Sequence, residues 1–181
     1  MMPKTLYRYP RQRERQDISY NLVTELGFQK ADVYLTFVHD LMKKGKKSTA
    51  ENLLRKTLNI IEQKTKYGEN AFAVLEKAVK NVEPSFFLKK ARLGGTSQQI
   101  PAALDKKKKK ATAIRFLIQI ATEKQKKSTL RKDSKGASTF AHCLATELYE
   151  ASQGFGPALQ KRDDLHKLAE ANRALLTQRW W

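Results

Sequence analysis

Apolar residues recur every three to four positions along most of the chain, and that recurrence predicts helices. Over 32–43, Val33, Phe37, Val38, Leu41 and Met42 share one face at the helical period. Asp32 is placed as the N-cap and Gly45 as the stop, since glycine takes a left-handed C-cap conformation without a side-chain penalty. A second helix runs from Ser48 to about Lys66 with Leu53, Leu54, Thr57, Ile60 and Ile61 inward. Ser48 and Glu51 have the spacing of a capping box, and Gly68 ends the helix. Asn70 caps a third helix, whose face is Phe72, Leu75, Ala78, Val79 and Val82. Pro84 stops it, because the residue before a proline avoids the helical region.

The period then changes. Phe86 to Leu93 and Thr96 to Pro101 are short extended runs around Gly94-Gly95, which reads as a β-hairpin over about 85–103. Helical periodicity returns over 106–127 with Ala111, Ile114, Leu117, Ile118 and Ala121. A polar connection follows, with Lys126, Lys127, Arg131, Lys132 and Lys135, and Gly136 opens the chain. A fifth helix over 137–151 uses Phe140, Ala141, Leu144, Ala145 and Leu148. Gly154, Gly156 and Pro157 interrupt, and a sixth over 163–179 uses Leu165, Leu168, Ala169, Leu175 and Leu176. Residues 1–18 show little periodicity, and Pro3 and Pro10 lack an amide donor, so an extended arm is expected there. The sum is a mainly α protein: a basic arm and lead-in over 1–29, then one helical domain over 30–181. That domain is a six-helix bundle with a protruding hairpin between helices three and four, its helices joined by short connections.

Charge sharpens the picture. Lys and Arg number 36 against 18 Asp and Glu, a formal charge of +18 in 181 residues. With 40% hydrophobic residues the chain can bury a core, so general disorder is excluded. Excess positive charge opposes compaction and asks for a polyanion: nucleic acid, an anionic membrane surface or an acidic protein. No stretch approaches the ~20 apolar residues that span a bilayer. A single cysteine, Cys143, excludes an internal disulfide and any zinc site built from several thiolates. The N-terminus has no apolar core of a secretory signal. Its Lys4, Arg8, Arg11, Arg13 and Arg15 against Glu14 suit an arm lying on an anionic partner, with an organelle-targeting segment as the alternative.

Catalytic chemistry finds little support. His39, His142 and His166 each fall on a different helix, without carboxylates or cysteine at ligand spacing. His142 and Cys143 are adjacent on a helix and point apart, a poor dyad. Gly45-Lys46-Lys47-Ser48 has the end of a phosphate-binding loop without its upstream glycine. Glu69, Glu76 and Glu83 read as a solvated face. No enzyme, metal or cofactor is therefore expected.

The cations, by contrast, cluster. Residues 104–132 hold 11 Lys or Arg, with Lys106, Lys107, Lys108, Lys109, Lys110, Arg115, Lys124, Lys126, Lys127, Arg131 and Lys132, against 2 acids. Five consecutive lysines at a helix start oppose the helix dipole, a cost that a nearby phosphate offsets. The bland alternative is a solvated run that aids solubility. Three more clusters lie in the arm, at Lys43, Lys44, Lys46 and Lys47, and at Lys89, Lys90 and Arg92 on the ribbon. If they share one surface, it grips phosphates without reading base sequence, as suits a structured RNA. Arg92 can hold a phosphate bidentately. Tyr7 and Tyr9 either stack on bases or pack against the domain itself.

Four stretches carry a family resemblance: Phe37–Leu58 (FVHDLMKKGKKSTAENLLRKTL), Leu75–Pro101 (LEKAVKNVEPSFFLKKARLGGTSQQIP), Ala113–Leu117, and Ser138–Trp180, ending in KRDDLHKLAEANRALLTQRW. In that order the chain resembles the small-subunit ribosomal protein seven family. The resemblance implies a helical domain with a ribbon between helices three and four. It implies binding to the 3′ major domain of small-subunit ribosomal RNA and nucleation of head folding. It also implies a place near the exit-site transfer RNA and messenger path, with head and platform proteins, protein eleven among them, as neighbours. Lys46, Lys47, the ribbon turn Gly94-Gly95 with Arg92, and Lys167, Asn172 and Arg173 fall on family contact positions, and Arg179 joins the candidates. The family ribbon usually reads close to GGANYQVP. Here it is GGTSQQIP, with Gln98 in place of the aromatic, Ala91-Arg92 for the usual arginine pair, and Phe116 for the usual tryptophan. These departures and the basic composition suit a mitochondrial ribosome, with plastid or bacterial cytoplasm as alternatives. The rival reading is a free-standing DNA- or RNA-binding architectural protein, which would need a recognition helix and two-fold partner contacts instead of a ribbon.

Overall fold

In the computed structural model, residues 28–64, 70–93, 95–130 and 139–178 are described. The chain divides into two compact units, residues 1–35 and 36–181. The described part of the first is the opening of α1 (Phe28–Leu41), with Val33 and Tyr34 buried. α1 starts four residues ahead of Asp32, so Asp32 lies inside the helix and is not its cap.

The second unit contains the rest of α1, then α2 (Lys47–Lys64), α3 (Ala71–Val82), β1 (Phe86–Leu93), β2 (Thr96–Ala103), α4 (Lys106–Leu130), α5 (Phe140–Ser152), α6 (Pro157–Ala171) and a 3-10 helix (Arg173–Gln178). The described residues thus form the expected mainly α fold, with the hairpin between the third and fourth helices. α5 is the centre. It packs on α2, α3, α4 and α6, and Ala141, Cys143, Leu144, Ala145, Leu148 and Ala151 are buried along it. Around it α2 buries Leu54, Leu58 and Ile61, α3 buries Val74, Leu75, Val79 and Val82, and α4 buries Ala113, Ile114, Leu117, Ile120 and Ala121. Thr57, also buried, satisfies its hydroxyl by donating to the Leu53 carbonyl at 2.9 Å.

Local signals explain several boundaries. Asn70 Oδ1 accepts from the Phe72 amide at 3.1 Å and starts α3 as expected. α2 starts at Lys47, so Ser48 is its second residue and Glu51 pairs with Lys47 at 3.6 Å instead of completing a capping box. The expected stop at Gly68 lies outside the described residues. Lys126 and Lys127 belong to α4, which continues to Leu130, and not to the connection after it. The largest correction is α6. It begins at Pro157, six residues before the expected start, because proline is tolerated at the first helical position. It then ends at Ala171, and the 3-10 turns that follow leave Leu176 exposed; Leu168 on α6 is exposed as well, so neither is core.

The hairpin pairs Phe86 with Ala103 through Leu93 with Thr96. Its root is buried through Ile100, Pro101 and Ala102, while Arg92, Thr96, Ser97 and Gln99 are exposed near the turn. Leu104 donates its amide to the Ser85 carbonyl at 3.2 Å and closes the root. α6 packs on β1 and the 3-10 helix on β2. The Ser85 amide donates to His166 Nε2 at 3.0 Å, tying the root to α6.

Leu117 is fully buried where α4 meets its neighbours. Leu117→Ala is expected to cost ~2–5 kcal/mol of stability, read as a lowered urea midpoint with an unchanged slope.

Candidate nucleic-acid interface

The candidate cations that are described occupy three regions. The first is the turn from α1 to α2. Lys44 and Gly45 both take left-handed conformations, with φ of 54° and 73°. The tight turn is held by Lys46 N to Lys43 O at 3.1 Å and Lys47 N to Gly45 O at 2.9 Å, and it leaves Lys43, Lys44, Lys46 and Lys47 exposed. Asp40, just before this turn, lies 3.5 Å from Arg115 Nε on α4. The turn is thereby linked to the second candidate region.

That region is α4 and the ribbon that feeds it. Lys106, Lys107 and Lys108 are exposed and Lys109 and Lys110 half-buried. They begin three residues after β2 ends, so the lysine run stands at the ribbon's root. Glu83, at the end of α3, faces the same corner. Burial raises its pKa, and Lys110, Lys109 and Lys80 pull it back without cancelling the rise. On the ribbon Lys90 and Arg92 are exposed, paired across the strands with Gln99 and Ser97, and Lys89 is half-buried opposite Ile100. Gln98 pairs with Ala91, and its Oε1 is buried without a hydrogen-bond partner among the described residues. Gly95 takes φ +86° in the turn. Lys126 and Lys127 are exposed near the other end of α4.

The third region is α6 and the 3-10 helix, with Lys167 and Arg173 exposed. Lys167 lies 3.9 Å from Asp164, both side chains open to solvent, a pair that holds neither firmly. Arg8, Arg11, Arg13, Arg15, Gly94, Arg131, Lys132 and Arg179 lie outside the described residues.

One cation counted with the α4 cluster turns inward. Lys124 Nζ sits 2.6 Å from Glu147 Oε2 and 2.7 Å from Glu150 Oε2. Glu147 is fully buried on α5, and its Oε1 accepts the Ala158 amide at 3.1 Å, one residue into α6. Gly156 caps that helix at φ +116°, and a Cβ there would stand 3.3 Å from Glu150 Cβ. Burial lowers the Lys124 pKa, but the hydrogen bonds and charges of Glu147 and Glu150 outweigh it and hold the ammonium above its usual range. The sequence carried a signal for both residues. Ala113, Leu117 and Ile120 lead along one α4 face to Lys124, and Glu147 stands between Leu144 and Leu148. A charge on an apolar stripe is a buried pair in waiting. Arg162 is similar: its guanidinium donates to the Asn81 carbonyl and to Asp163, and Asn81 Nδ2 donates to the Ala151 carbonyl at 2.9 Å. Lys161 stands over the Phe116 ring, 5.2 Å from its centroid.

Among the described residues no three His, Cys, Asp or Glu side chains are grouped to hold a metal ion, and no helix is long and apolar enough to cross a membrane. Cys143 is buried.

A family model described as ribosomal protein S7p/S5e matches residues 4–173. The small ribosomal subunit protein uS7 of Shewanella amazonensis is 35% identical over 150 residues, covering 83% of this chain and 88% of that one. The small ribosomal subunit protein uS7 of Desulfosudis oleivorans is 40% identical over 144 residues, covering 80% and 84%. A helical body that carries a basic ribbon and matches such proteins over four fifths of its length is a ribosomal protein. The chain belongs to the ribosomal protein S7p/S5e family.

Lys124→Met leaves the Glu147 carboxylate buried without its cation, and a loss of about 3–5 kcal/mol is expected in urea denaturation. Glu147→Gln on that background should recover part of it, since the amide is neutral and still accepts from Ala158. The pH dependence has a definite sign. A lysine whose pKa is raised by folding contributes stability that is fully present below about 10.4 and is lost as pH rises through the folded value. The wild-type chain should therefore lose more stability over that alkaline window than Lys124→Met does.

Proposed function

We propose that this chain is a structural, non-enzymatic component of the small ribosomal subunit that binds ribosomal RNA through the α1–α2 turn, the ribbon and the first turns of α4. The supporting observation is that the family match runs through all three, and each presents exposed lysine or arginine. Lysines on a tight turn and at a helix start suit phosphate contact, which fixes position without reading sequence. An RNA junction would be recognised by its shape and its 2′-hydroxyls. In this reading the RNA is the 3′ major domain, and binding nucleates folding of the subunit head. The ribbon faces the exit-site transfer RNA and messenger path, with protein eleven of the small subunit across the gap. Arg92 near the turn is the ribbon's phosphate clamp, and Lys167 and Arg173 extend the same contact from α6.

The compartment proposed is the mitochondrial ribosome, on the ribbon departures around Gln98 and the charge of +18. Both relatives above are bacterial, which favours bacterial cytoplasm as the second reading. Sequencing the RNA that co-purifies with the native particle decides between the compartments and identifies the bound RNA.

Replacing Lys46, Lys47, Arg92 and Lys110 together by Gln should weaken binding to a transcript of the 3′ major domain. The slope of log affinity against log salt should fall by roughly 0.7–0.9 for each phosphate that the variant no longer neutralises. Unchanged slope and affinity would show that these residues face bulk water in the complex.

A further inference from the structure

Where the ribbon's root meets α6 and the 3-10 helix there is an open cleft of about 440 Å³, a volume in the range of small-ligand sites. Its walls are apolar: Phe86 from β1, Pro101 and Ala103 from β2, and Leu176 from the 3-10 helix. His166 on α6 lines it too and stands edge-to-face with Phe86, ring centroids 6.1 Å apart. Glu170 and Arg173, both exposed, supply the polar rim. Phe86 and Leu176 remain 46% and 41% exposed, so the cleft lies open between two large apolar side chains.

We propose that this cleft takes an unstacked nucleobase of the ribosomal RNA, the base against the Phe86 ring and its phosphate on Arg173. The proposal rests on the RNA-binding reading above and deepens it. A nucleobase has two apolar faces and a hydrogen-bonding edge, and the cleft offers a counterpart to each. The exposed part of Phe86 gives a ring for stacking, and Pro101, Ala103 and Leu176 give an apolar surround. The platform is held before any ligand arrives. Phe86 opens β1, and its neighbour Ser85 donates its amide to His166 Nε2 at 3.0 Å while its carbonyl accepts from the Leu104 amide at 3.2 Å. The first of these bonds uses the acceptor nitrogen of the imidazole, so the ring carries its proton on Nδ1. The rim supplies the rest: Glu170 accepts from a base amine or ring N–H, and Arg173 donates to a phosphate. Splayed bases of unpaired RNA are recognised in this way, by stacking on an aromatic ring with hydrogen bonds at the base edge. An apolar side chain from a protein would use the walls and leave that rim without a role.

A base held here contributes by stacking and not by charge, so its loss has its own signature in salt. Phe86→Leu keeps an apolar side chain but removes the ring. It should weaken binding of the full-length chain to a transcript of the 3′ major domain by about 5–150-fold, the range of a lost base–aromatic stack, with the slope of log affinity against log salt unchanged. Phe86→Tyr keeps the ring and should bind as the wild type does. If Phe86→Leu loses its helical circular dichroism, Ala103→Leu, which fills the cleft from an exposed position on β2, decides by the same readout. Three results would overturn the proposal and leave the RNA-binding reading standing. They are wild-type affinity in Phe86→Leu, which would pass the cleft to another occupant such as an apolar side chain of a neighbouring protein; equal weakening by Phe86→Tyr; or a fall in salt slope along with affinity. A wild-type chain that fails to bind the transcript would remove the RNA-binding reading itself, and this site with it.

Discussion

A single buried carboxylate sets the terms for the rest of the fold. Glu147 lies on the central helix with no solvent exposure, and removing such a charge from water costs several kcal/mol unless it is matched. The match comes from two neighbours at once, the Lys124 ammonium on α4 and the Ala158 amide at the start of α6. Neither can be met unless α4, α5 and α6 are in register. The requirement explains Gly156 as well, because a side chain there would press on Glu150 while the cap needs a positive φ. Once α6 has its starting point its course is fixed, and its imidazole at His166 receives the Ser85 amide. The ribbon's root is thus held through a chain of contacts that begins in the core.

Where structure is dictated locally, the sequence was sufficient. The Asn70 cap, the stop before Pro84 and the Gly94-Gly95 hairpin each depend on residues within a few positions of one another, and the strands pair around the turn as read. The misplacements share a different cause. Pro157 reads as an interruption, yet at a first helical position its missing N–H is no loss, so α6 starts there. Ser48 has the residues of a capping box, but Lys47 holds Glu51 one turn on. Leu176 fits the helical period and is nevertheless exposed, because the chain leaves the α geometry after Ala171, and Leu168, within α6, lies on a solvent-facing side of that helix.

The candidate surface was legible in a similar, partial way. Runs such as Lys43–Lys47 and Lys106–Lys110 announce themselves by density, and no tertiary information is needed to place lysines at a turn or a helix start. Density could not separate cations that face outward from those used inside. Lys124 belongs by sequence to the α4 cluster and by geometry to the core. Arg162, in no cluster, ties α6 to the end of α3 through the Asn81 carbonyl. The difference is the company each keeps along its helix face, an observation of period and not of count. Lys167 and Arg173 entered only through the family resemblance, since nothing in their spacing marks them.

The lysine run at the head of α4 carries an electrostatic cost. Positive charge at a helix N-terminus opposes the dipole, and the effect is confined to about the first turn, where the run stands. Two described acids stand near the run: Asp105 directly precedes it, and Glu83 at the end of α3 feels Lys110 and Lys109 while its burial works against its ionisation. A second lysine-rich segment, the turn before α2, follows Asp40, which lies 3.5 Å from Arg115 on α4. Asp105 is one acid beside five successive lysines, and the whole chain has 18 acids against 36 cations. The RNA backbone proposed as partner would offer many closely spaced negative charges along a line. In the complex we propose, that line of charge would lie beside the helix start whose dipole the lysines oppose.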